Sequence, residues 1–328
     1  MAAITRHERA ADMQVSKGPG GHSCGRPVIR MAGSLMPAVS MTRLRNVAGI
    51  ARDQAHVALA QVGFTHSPGR LTRDASRYWS GERDDRLRND SHWRTGSKFE
   101  DTELWAAMGR EHLQLFQRLR RTVSDPPALK RIIDWGCGGG ANAVHFAPLA
   151  EEFIGADINA GSIEECGHQV AAACSTPFVK ALIDIERPEA SARDIPRPCD
   201  LFLCLYVLEL VPTQAYGLRL MRIAHDLLAP GGQAFVQIKY ATGSWRTRPR
   251  RRGYRSAVAG NTYRVEDFWT AMTRIGFHPE VVALVPENDL DERYAYFLLS
   301  KLETSRPHQQ TLSEDLLAHA SAERTLLA

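Results

Sequence analysis

The spacing of apolar residues changes character near residue 130. Before that point, apolar side chains recur every three or four residues between Asp101 and Arg121, which predicts a helix that buries one face. The buried positions are predicted to be Trp105, Met108, His112, Phe116 and Leu119. After residue 130, short apolar runs alternate with helical stretches. This alternation predicts a parallel sheet with helices packed against it.

Five apolar runs are predicted to be the parallel strands: RIID, FIGAD, FVKALID, DLFLCLY and QAFVQIKY. Because crossovers between parallel strands are right-handed, the carboxyl ends of these strands meet at one edge of the sheet. Two later runs, PEVVALV and ERYAYFLLSKL, are joined by a polar stretch and predict an antiparallel hairpin. The predicted fold class is therefore α/β: a doubly wound, mostly parallel seven-stranded sheet with a closing antiparallel hairpin, preceded by an N-terminal helical extension.

Composition narrows the class of protein without naming a partner. Apolar residues make up 44% of the chain and charged residues 24%, which is typical of a folded domain. A net charge of +4 is too small to indicate nucleic-acid binding by itself. The cysteines show no C-x-x-C pair, so no metal site is expected. The most apolar stretch, Leu201 to Leu208, ends at Glu209 and is too short to cross a membrane, and no signal pattern is present, so a cytoplasmic enzyme is expected.

The sharpest local pattern is IIDWGCGGGAN, where an apolar strand ends in Asp134 and runs into a glycine loop before a helix. Glycines allow the backbone to approach a ligand closely, which indicates a nucleotide-type ligand. Gly136, Gly138 and Ala141 also fit the looser dinucleotide fingerprint, with Asp157 following at a suitable distance. Spacing alone therefore does not distinguish a dinucleotide from another nucleotide-type cofactor.

The charge of Asp134 favours one of these two cofactors. A carboxylate beside the glycine turn would repel the pyrophosphate of a dinucleotide. S-Adenosylmethionine instead carries a sulfonium and an ammonium group, and a carboxylate at the end of the strand attracts both, more strongly where the local dielectric is low. A nicotinamide-dependent oxidoreductase therefore remains only an alternative.

The segment DWGCGGGAN resembles motif I of the class I S-adenosylmethionine-dependent methyltransferases, and FIGADIN resembles their second motif. The resemblance covers roughly residues 125–302 and implies that Asp157 holds the ribose hydroxyls, with Ile158 beside the adenine. It also implies that Asp184 accepts from the adenine amino group, with Ile185 adjacent. The segment CDLFLCLYVLELVP is similar to the fourth-strand segment of the family but has Leu210 where a histidine is common.

The resemblance implies a Rossmann-like methyltransferase that acts by in-line methyl transfer. Its predicted cofactor-binding residues are Asp134, Gly136, Cys137, Gly138, Gly140, Asn142, Asp157, Ile158, Asp184, Ile185 and Leu205. The predicted organisation is a disordered or over-annotated extension at 1–40, a helical lid segment at 41–122, the S-adenosylmethionine-binding methyltransferase domain at 123–302 and a tail at 303–328.

Candidates for chemistry and acceptor recognition lie near the carboxyl edge of the sheet. Tyr206 and Glu209 are the predicted catalytic residues, and Tyr240 and His145 are further candidate bases. An aromatic stretch that includes His92 is expected to fold over the cofactor. The predicted substrate residues are Trp79, Trp93, Arg94, Tyr240 and Trp245.

An arginine-rich loop at 246–255 leaves the class of acceptor open, because arginine forks fit phosphate oxygens. A small-molecule acceptor is the first hypothesis, since no RNA-binding module accompanies the loop. An RNA or protein acceptor is the second, and a non-catalytic S-adenosylmethionine sensor is a further alternative.

Overall fold

The computed structural model describes Leu59 and residues 64–302, except for 82–84, 101–102, 124–125, 243, 245–246, 248–253, 255–259 and 286–292. The strands are β1 (Arg131–Trp135), β2 (Glu152–Asp157), β3 (Phe178–Leu182), β4 (Cys199–Cys204), β5 (Leu228–Lys239), β6 (Phe277–Val285) and β7 (Tyr294–Lys301). The helices are α1 (Pro68–Trp79), α2 (Asp85–Asp90), α3 (Leu104–Arg120), α4 (Ala143–Phe146), α5 (Ala160–Ala173), α6 (Pro188–Arg193), α7 (Gln214–Leu227) and α8 (Val265–Ile275), with a 3₁₀ turn at Ala147–Leu149.

The strands form a seven-stranded sheet in the order β3-β2-β1-β4-β5-β7-β6. Strands β1 to β5 pair in parallel, whereas β7 runs antiparallel to both β5 and β6. The predicted fold class is therefore confirmed. Strand order reverses between β1 and β4, and in open parallel sheets a ligand crevice forms at the carboxyl edge beside such a reversal.

Alternating strand residues build a core on each face of the sheet. Ile133 and Phe202 belong to one apolar cluster, whereas Ile132 and Leu201 belong to the other. Both faces are covered by helices, which explains why the parallel strands are apolar at nearly every position rather than at every second one.

The predicted helix between residues 101 and 121 corresponds to α3, and all of its predicted core positions are buried. Helices α1 and α2 were not predicted, because α1 is mostly polar and buries only Leu71 and Ala75 among its described side chains. Helix α8 was also missed; it ends at Gly276, whose φ of 111° closes the helix in the left-handed conformation.

Several predicted boundaries shift. Strand β3 ends at Leu182, so Asp184 lies beyond the strand rather than at its end. Strand β5 begins at Leu228 and includes the APGG turn. The predicted segments 1–40 and 303–328, Trp245 and every arginine of the 246–255 loop lie outside the described residues. Within the described part of the chain, no helix is both long enough and apolar enough to cross a membrane.

Candidate active site

A cavity of about 850 Å³, including its open mouth, lies at the carboxyl ends of β1, β2 and β4. The carboxyl edge beside a reversal of strand order is where open parallel sheets bind small molecules and cofactors. Its lining comprises Trp79, Asp90, Ser91, His92, Trp135, Gly136, Cys137, Gly138, Ala141, Asn142, Asp157, Ile158, Ile183, Ile185, Leu205, Tyr206, Val207, Leu210, Val211, Tyr216 and Leu220.

The glycine loop after β1 forms one wall of this cavity. Gly136, Gly138 and Gly140 have φ angles of 82°, 50° and 91°, which favour glycine. A Cβ at Gly136 would lie 2.4 Å from Cγ2 of Val207, and one at Gly138 would lie 2.3 Å from the carbonyl oxygen of Ser91. The loop therefore needs glycine both for its backbone conformation and for the close approach of neighbouring segments.

Asp134 lies in β1, two residues before Gly136, and is not itself one of the lining residues of the cavity. It is 1% exposed, and its Oδ2 atom has no hydrogen-bond partner among the described residues. Burial, reinforced by the nearby Asp157, raises the pKa of Asp134 to about 7. A positively charged ligand would stabilise the ionised form of this buried carboxylate and so lower its pKa again.

Asp157 ends β2 beside the same loop and lines the cavity. Its Oδ2 accepts from the backbone N–H of Gly138 at 3.0 Å, and its Oδ1 accepts from that of Asn159 at 2.9 Å. Burial outweighs these hydrogen bonds and raises the pKa of Asp157. Each oxygen keeps acceptor capacity, so the carboxylate suits ligand hydroxyl groups.

The far end of the cavity is apolar and includes Ile158, Ile183 and Ile185. The hydroxyl of Tyr216 donates to the carbonyl of Ile185 at 2.7 Å and holds this segment in place. The family resemblance implied that Asp184 lies with these residues, but the structure does not place it there. Its carboxylate instead accepts from the guanidinium of Arg187 at 2.9 Å, which lowers its pKa.

The opposite wall comes from residues 68–99, which we name the cap segment. The carbonyl of Ser91 accepts from the N–H of Gly139 at 2.7 Å. The indole of Trp93 donates to Oγ of Ser162 at 3.0 Å, and Asn159 donates through Nδ2 to the carbonyl of Trp79 at 2.7 Å. The aromatic stretch therefore lies over the glycine loop, where the sequence predicted a lid.

Tyr206 follows β4 and lines the cavity with the left-handed φ of 57°. His92 of the cap segment has a φ of 53°, and its ring meets that of Tyr206 edge-on at a centroid distance of 5.1 Å. Burial lowers the pKa of His92 to about 3. Left-handed residues other than glycine are uncommon, and His92 and Tyr206 both occur in the lining of this cavity.

A buried chain of hydrogen bonds supports Tyr206 from behind. Its backbone N–H donates to Oε1 of Gln237 at 2.6 Å, and Nε2 of Gln237 donates to the hydroxyl of Tyr296 at 2.8 Å. That hydroxyl lies 2.9 Å from Nε2 of His112, whose Nδ1 lies 2.7 Å from Oδ1 of Asn142. The network links the end of β4 to β5, β7, α3 and the glycine loop.

The remaining predicted residues are not part of the cavity lining. Glu209 is buried and accepts from the hydroxyl of Tyr294 at 2.7 Å, a structural contact. Trp93 is buried in its contact with Ser162, and Arg94 lies over the ring of Trp105 at 5.8 Å. Tyr240 forms a backbone bridge with Tyr263.

Gly140 packs behind the loop, where an added Cβ would lie 3.4 Å from Sγ of Cys166. The predicted cavity residues that the structure does bring together are Gly136, Cys137, Gly138, Asn142, Asp157, Ile158, Ile185, Leu205, Tyr206 and Trp79. Sequence analysis missed Asp90, Ser91 and Leu210 as lining residues; the first two precede the aromatic stretch but show no motif of their own.

A family profile described as a methyltransferase domain matches residues 104–281. The chain belongs to this methyltransferase family. The family resemblance, the class of enzyme and the S-adenosylmethionine cofactor predicted from the glycine loop are thereby confirmed. The match begins in α3, ahead of the glycine loop.

Among curated proteins, a ubiquinone biosynthesis O-methyltransferase from Pseudomonas aeruginosa strain LESB58 is 29% identical over 108 residues, or 33% of this chain and 43% of the relative. One from Pseudomonas entomophila strain L48 is 28% identical over 110 residues, or 32% of this chain and 43% of the relative. The methyltransferase thus matches less than half the length of these relatives.

Two solved structures are also similar. The N-methyltransferase NodS of Bradyrhizobium japonicum WM9, in complex with S-adenosylhomocysteine, is 17% identical with a TM-score of 0.48 and covers 71% of this chain and 100% of its own. Magnesium protoporphyrin IX methyltransferase of Synechocystis PCC 6803, with bound S-adenosylhomocysteine, is 12% identical with a TM-score of 0.49 and covers 70% and 99%.

Proposed function

We propose that this methyltransferase binds S-adenosylmethionine between the glycine loop and the cap segment and methylates a small-molecule acceptor. The observation that carries the proposal is Asp134, a buried carboxylate beneath a glycine loop, with an oxygen that forms no hydrogen bond to any described residue. A dinucleotide pyrophosphate would be repelled at this point, whereas a cationic ligand offsets the cost of the buried charge.

The residues present fit this cofactor. Asp134 would attract its positive groups, and Asp157, which retains acceptor capacity, would accept hydrogen bonds from the ribose hydroxyls. Ile158, Ile183 and Ile185 provide an apolar surface for the adenine. When bound, the cofactor supplies a methyl group already activated by the sulfonium, so the chain needs mainly to align the acceptor.

The cap segment excludes water and restricts the acceptor to a small volume. Three backbone or side-chain hydrogen bonds, from Gly139, Trp93 and Asn159, hold it against the glycine loop and α5. A concave site of this kind, open on one side, suits a small molecule better than a polymer. The curated relatives, named for O-methylation in ubiquinone biosynthesis, support the same class of acceptor.

Calorimetric titration of the purified protein with S-adenosylmethionine, S-adenosylhomocysteine and NADH tests the cofactor. We expect micromolar binding of the first two and none of NADH. Binding of NADH alone would contradict the proposal and favour an oxidoreductase.

A separate titration with polyuridylate at low and high salt tests the class of acceptor. We expect no tight, salt-sensitive binding of polyuridylate. Tight, strongly salt-dependent binding would instead indicate a nucleic-acid acceptor recognised through the arginine-rich segment 246–255.

A further inference from the structure

Two histidine rings contact Tyr206 from different directions. His92 approaches from the cap segment with a centroid distance of 5.1 Å, and His112 approaches from α3 with a centroid distance of 5.3 Å. Both are close to the part of the cavity beside the end of β4. They differ, however, in what their ring nitrogens contact.

Both ring nitrogens of His112 are committed to buried partners. Because Oδ1 of Asn142 can only accept, the proton lies on Nδ1 of His112 and points to Asn142. Nε2 therefore accepts from the hydroxyl of Tyr296, which in turn receives a hydrogen bond from Gln237. His112 cannot take up a further proton without breaking this chain, so its role is to position Tyr206.

The ring of His92 forms no hydrogen bond with another described side chain or backbone group, and it lines the cavity. Other contacts hold His92 in place. Its backbone carbonyl accepts from the indole of Trp105 at 2.7 Å, and its ring packs edge-on against that of Phe99 at a centroid distance of 5.6 Å. The surroundings thus hold His92 in its left-handed conformation while its ring nitrogens remain available to a ligand.

The charges around the cavity restrict which ligand His92 can meet. The lining includes the carboxylates Asp90 and Asp157, and no lysine or arginine lies among the lining residues that the structure describes. The nearby Lys98 lies 5.3 Å from the ring of Phe99 instead. The lining residues that the structure describes therefore offer carboxylates, and no cationic side chain, to a ligand beside His92.

We propose that His92 contacts the methyl acceptor and receives its proton, and that the acceptor presents a hydroxyl group. This inference rests on the proposed function. As the acceptor oxygen forms its bond to the methyl carbon, the electron pair of the broken carbon–sulfur bond stays on sulfur. The hydroxyl proton then passes to a ring nitrogen of His92, while its bonding pair remains on oxygen.

The buried environment of His92 favours a hydroxyl over an ammonium group. Its lowered pKa, about 3, keeps the ring unprotonated at physiological pH, so a ring nitrogen has a free lone pair but is a weak base. An alkylammonium, with a pKa near that of lysine at about 10, would not yield its proton to so weak a base. A hydroxyl oxygen that attacks the methyl carbon develops positive charge. The hydroxyl then becomes strongly acidic and transfers its proton readily.

Nitrogen-15 NMR of the histidine rings tests this assignment in the full chain saturated with S-adenosylhomocysteine. Catechol is the uncharged probe and 3,4-dihydroxybenzoate is its anionic counterpart. The variant is His92→Asn, because asparagine tolerates a left-handed backbone but cannot act as the base. The matched control is His168→Asn, at an exposed position on α5.

We expect catechol to shift the ring nitrogens of His92 and to bind at least about tenfold more weakly to His92→Asn. Turnover of catechol with S-adenosylmethionine should fall by about 100-fold in that variant, with binding of S-adenosylhomocysteine unchanged. His168→Asn should behave like the natural chain.

The inference is overturned if catechol leaves the His92 nitrogens unmoved, if His92→Asn binds and methylates catechol normally, or if neither probe binds. Failure of the natural chain to bind S-adenosylhomocysteine would instead reject the proposed function itself, so the two failures are distinguishable.

Discussion

The glycine loop and the cap segment face each other across one cavity but present opposite chemistry. The loop side combines backbone groups with two carboxylates, the buried Asp134 and the half-buried Asp157, and its positive φ angles fall on glycines. On the other side, His92 of the cap segment and Tyr206, which follows β4, have positive φ angles despite their large side chains. The first arrangement suits a cationic cofactor approached by backbone, and the second positions side chains against an acceptor at some cost in strain.

The largest expected effect comes from removing the glycine at which these two regions touch. Gly138→Ala would place a Cβ 2.3 Å from the carbonyl of Ser91 in a left-handed backbone. We expect a loss of roughly 2 to 4 kcal/mol in the free energy of unfolding and no detectable cofactor binding. Urea denaturation and calorimetry measure these two quantities.

Gly69→Ala is the matched control, because its Cβ would lie 3.7 Å from the nearest atom, a guanidinium nitrogen of Arg73. It should cause no loss of stability or binding. If Gly138→Ala behaved the same way, the cap segment could not be docked on the glycine loop as described.

A smaller effect on binding is expected from Asp134→Asn, which removes the charge beneath the loop. Affinity for S-adenosylmethionine should fall roughly 10- to 100-fold, since a hydrogen bond or contact to a charged group is worth about 1.5 to 3 kcal/mol. Unchanged affinity would show that Asp134 does not attract the cofactor.

The same variant should be more stable than the natural chain when no cofactor is present. The pKa of Asp134 is raised in the folded state, to about 7, so its favourable contribution is complete only below its unfolded pKa and is lost as the pH rises through 7. Each unit of pKa shift corresponds to about 1.4 kcal/mol. Thermal unfolding should therefore show a stabilisation at pH 8 that shrinks toward pH 5.

Asp226→Asn is the control for this pH dependence, because the side chain of Asp226 is 76% exposed. Its unfolding temperature should track that of the natural chain across the same range. A stabilisation of Asp134→Asn that grew toward low pH would contradict the direction of the pKa shift.

The smallest expected effect concerns the attachment of the cap segment to α5. Trp93→Phe keeps the buried ring but removes the indole N–H that donates to Ser162. We expect a loss of about 1 kcal/mol in stability, which a double-mutant cycle with Ser162→Ala should recover as coupling between the two side chains. Additive effects would mean that this hydrogen bond contributes nothing to holding the cap.

The parts of the site that were predictable lie close together in sequence. The glycine loop, Asp134 and Asp157 were found because each ends or follows an apolar strand with a recognisable period. The family resemblance implied that Asp184 accepts from the adenine amino group, but its carboxylate contacts Arg187 instead. A strand-end position predicts where a residue lies, whereas the direction of its side chain depends on neighbours such as Arg187 that no motif identifies.

The amino-acid sequence by itself determined the α/β class and the position of the glycine loop, because strand periodicity and glycine spacing are local features. Only the tertiary structure placed His92 against Tyr206, 114 positions away, and assigned His112 to a buried hydrogen-bond chain with Tyr296. Those contacts join segments that share no pattern in sequence. They form because the cap segment packs across the carboxyl edge of the sheet, and the geometry of that packing is a property of the whole fold.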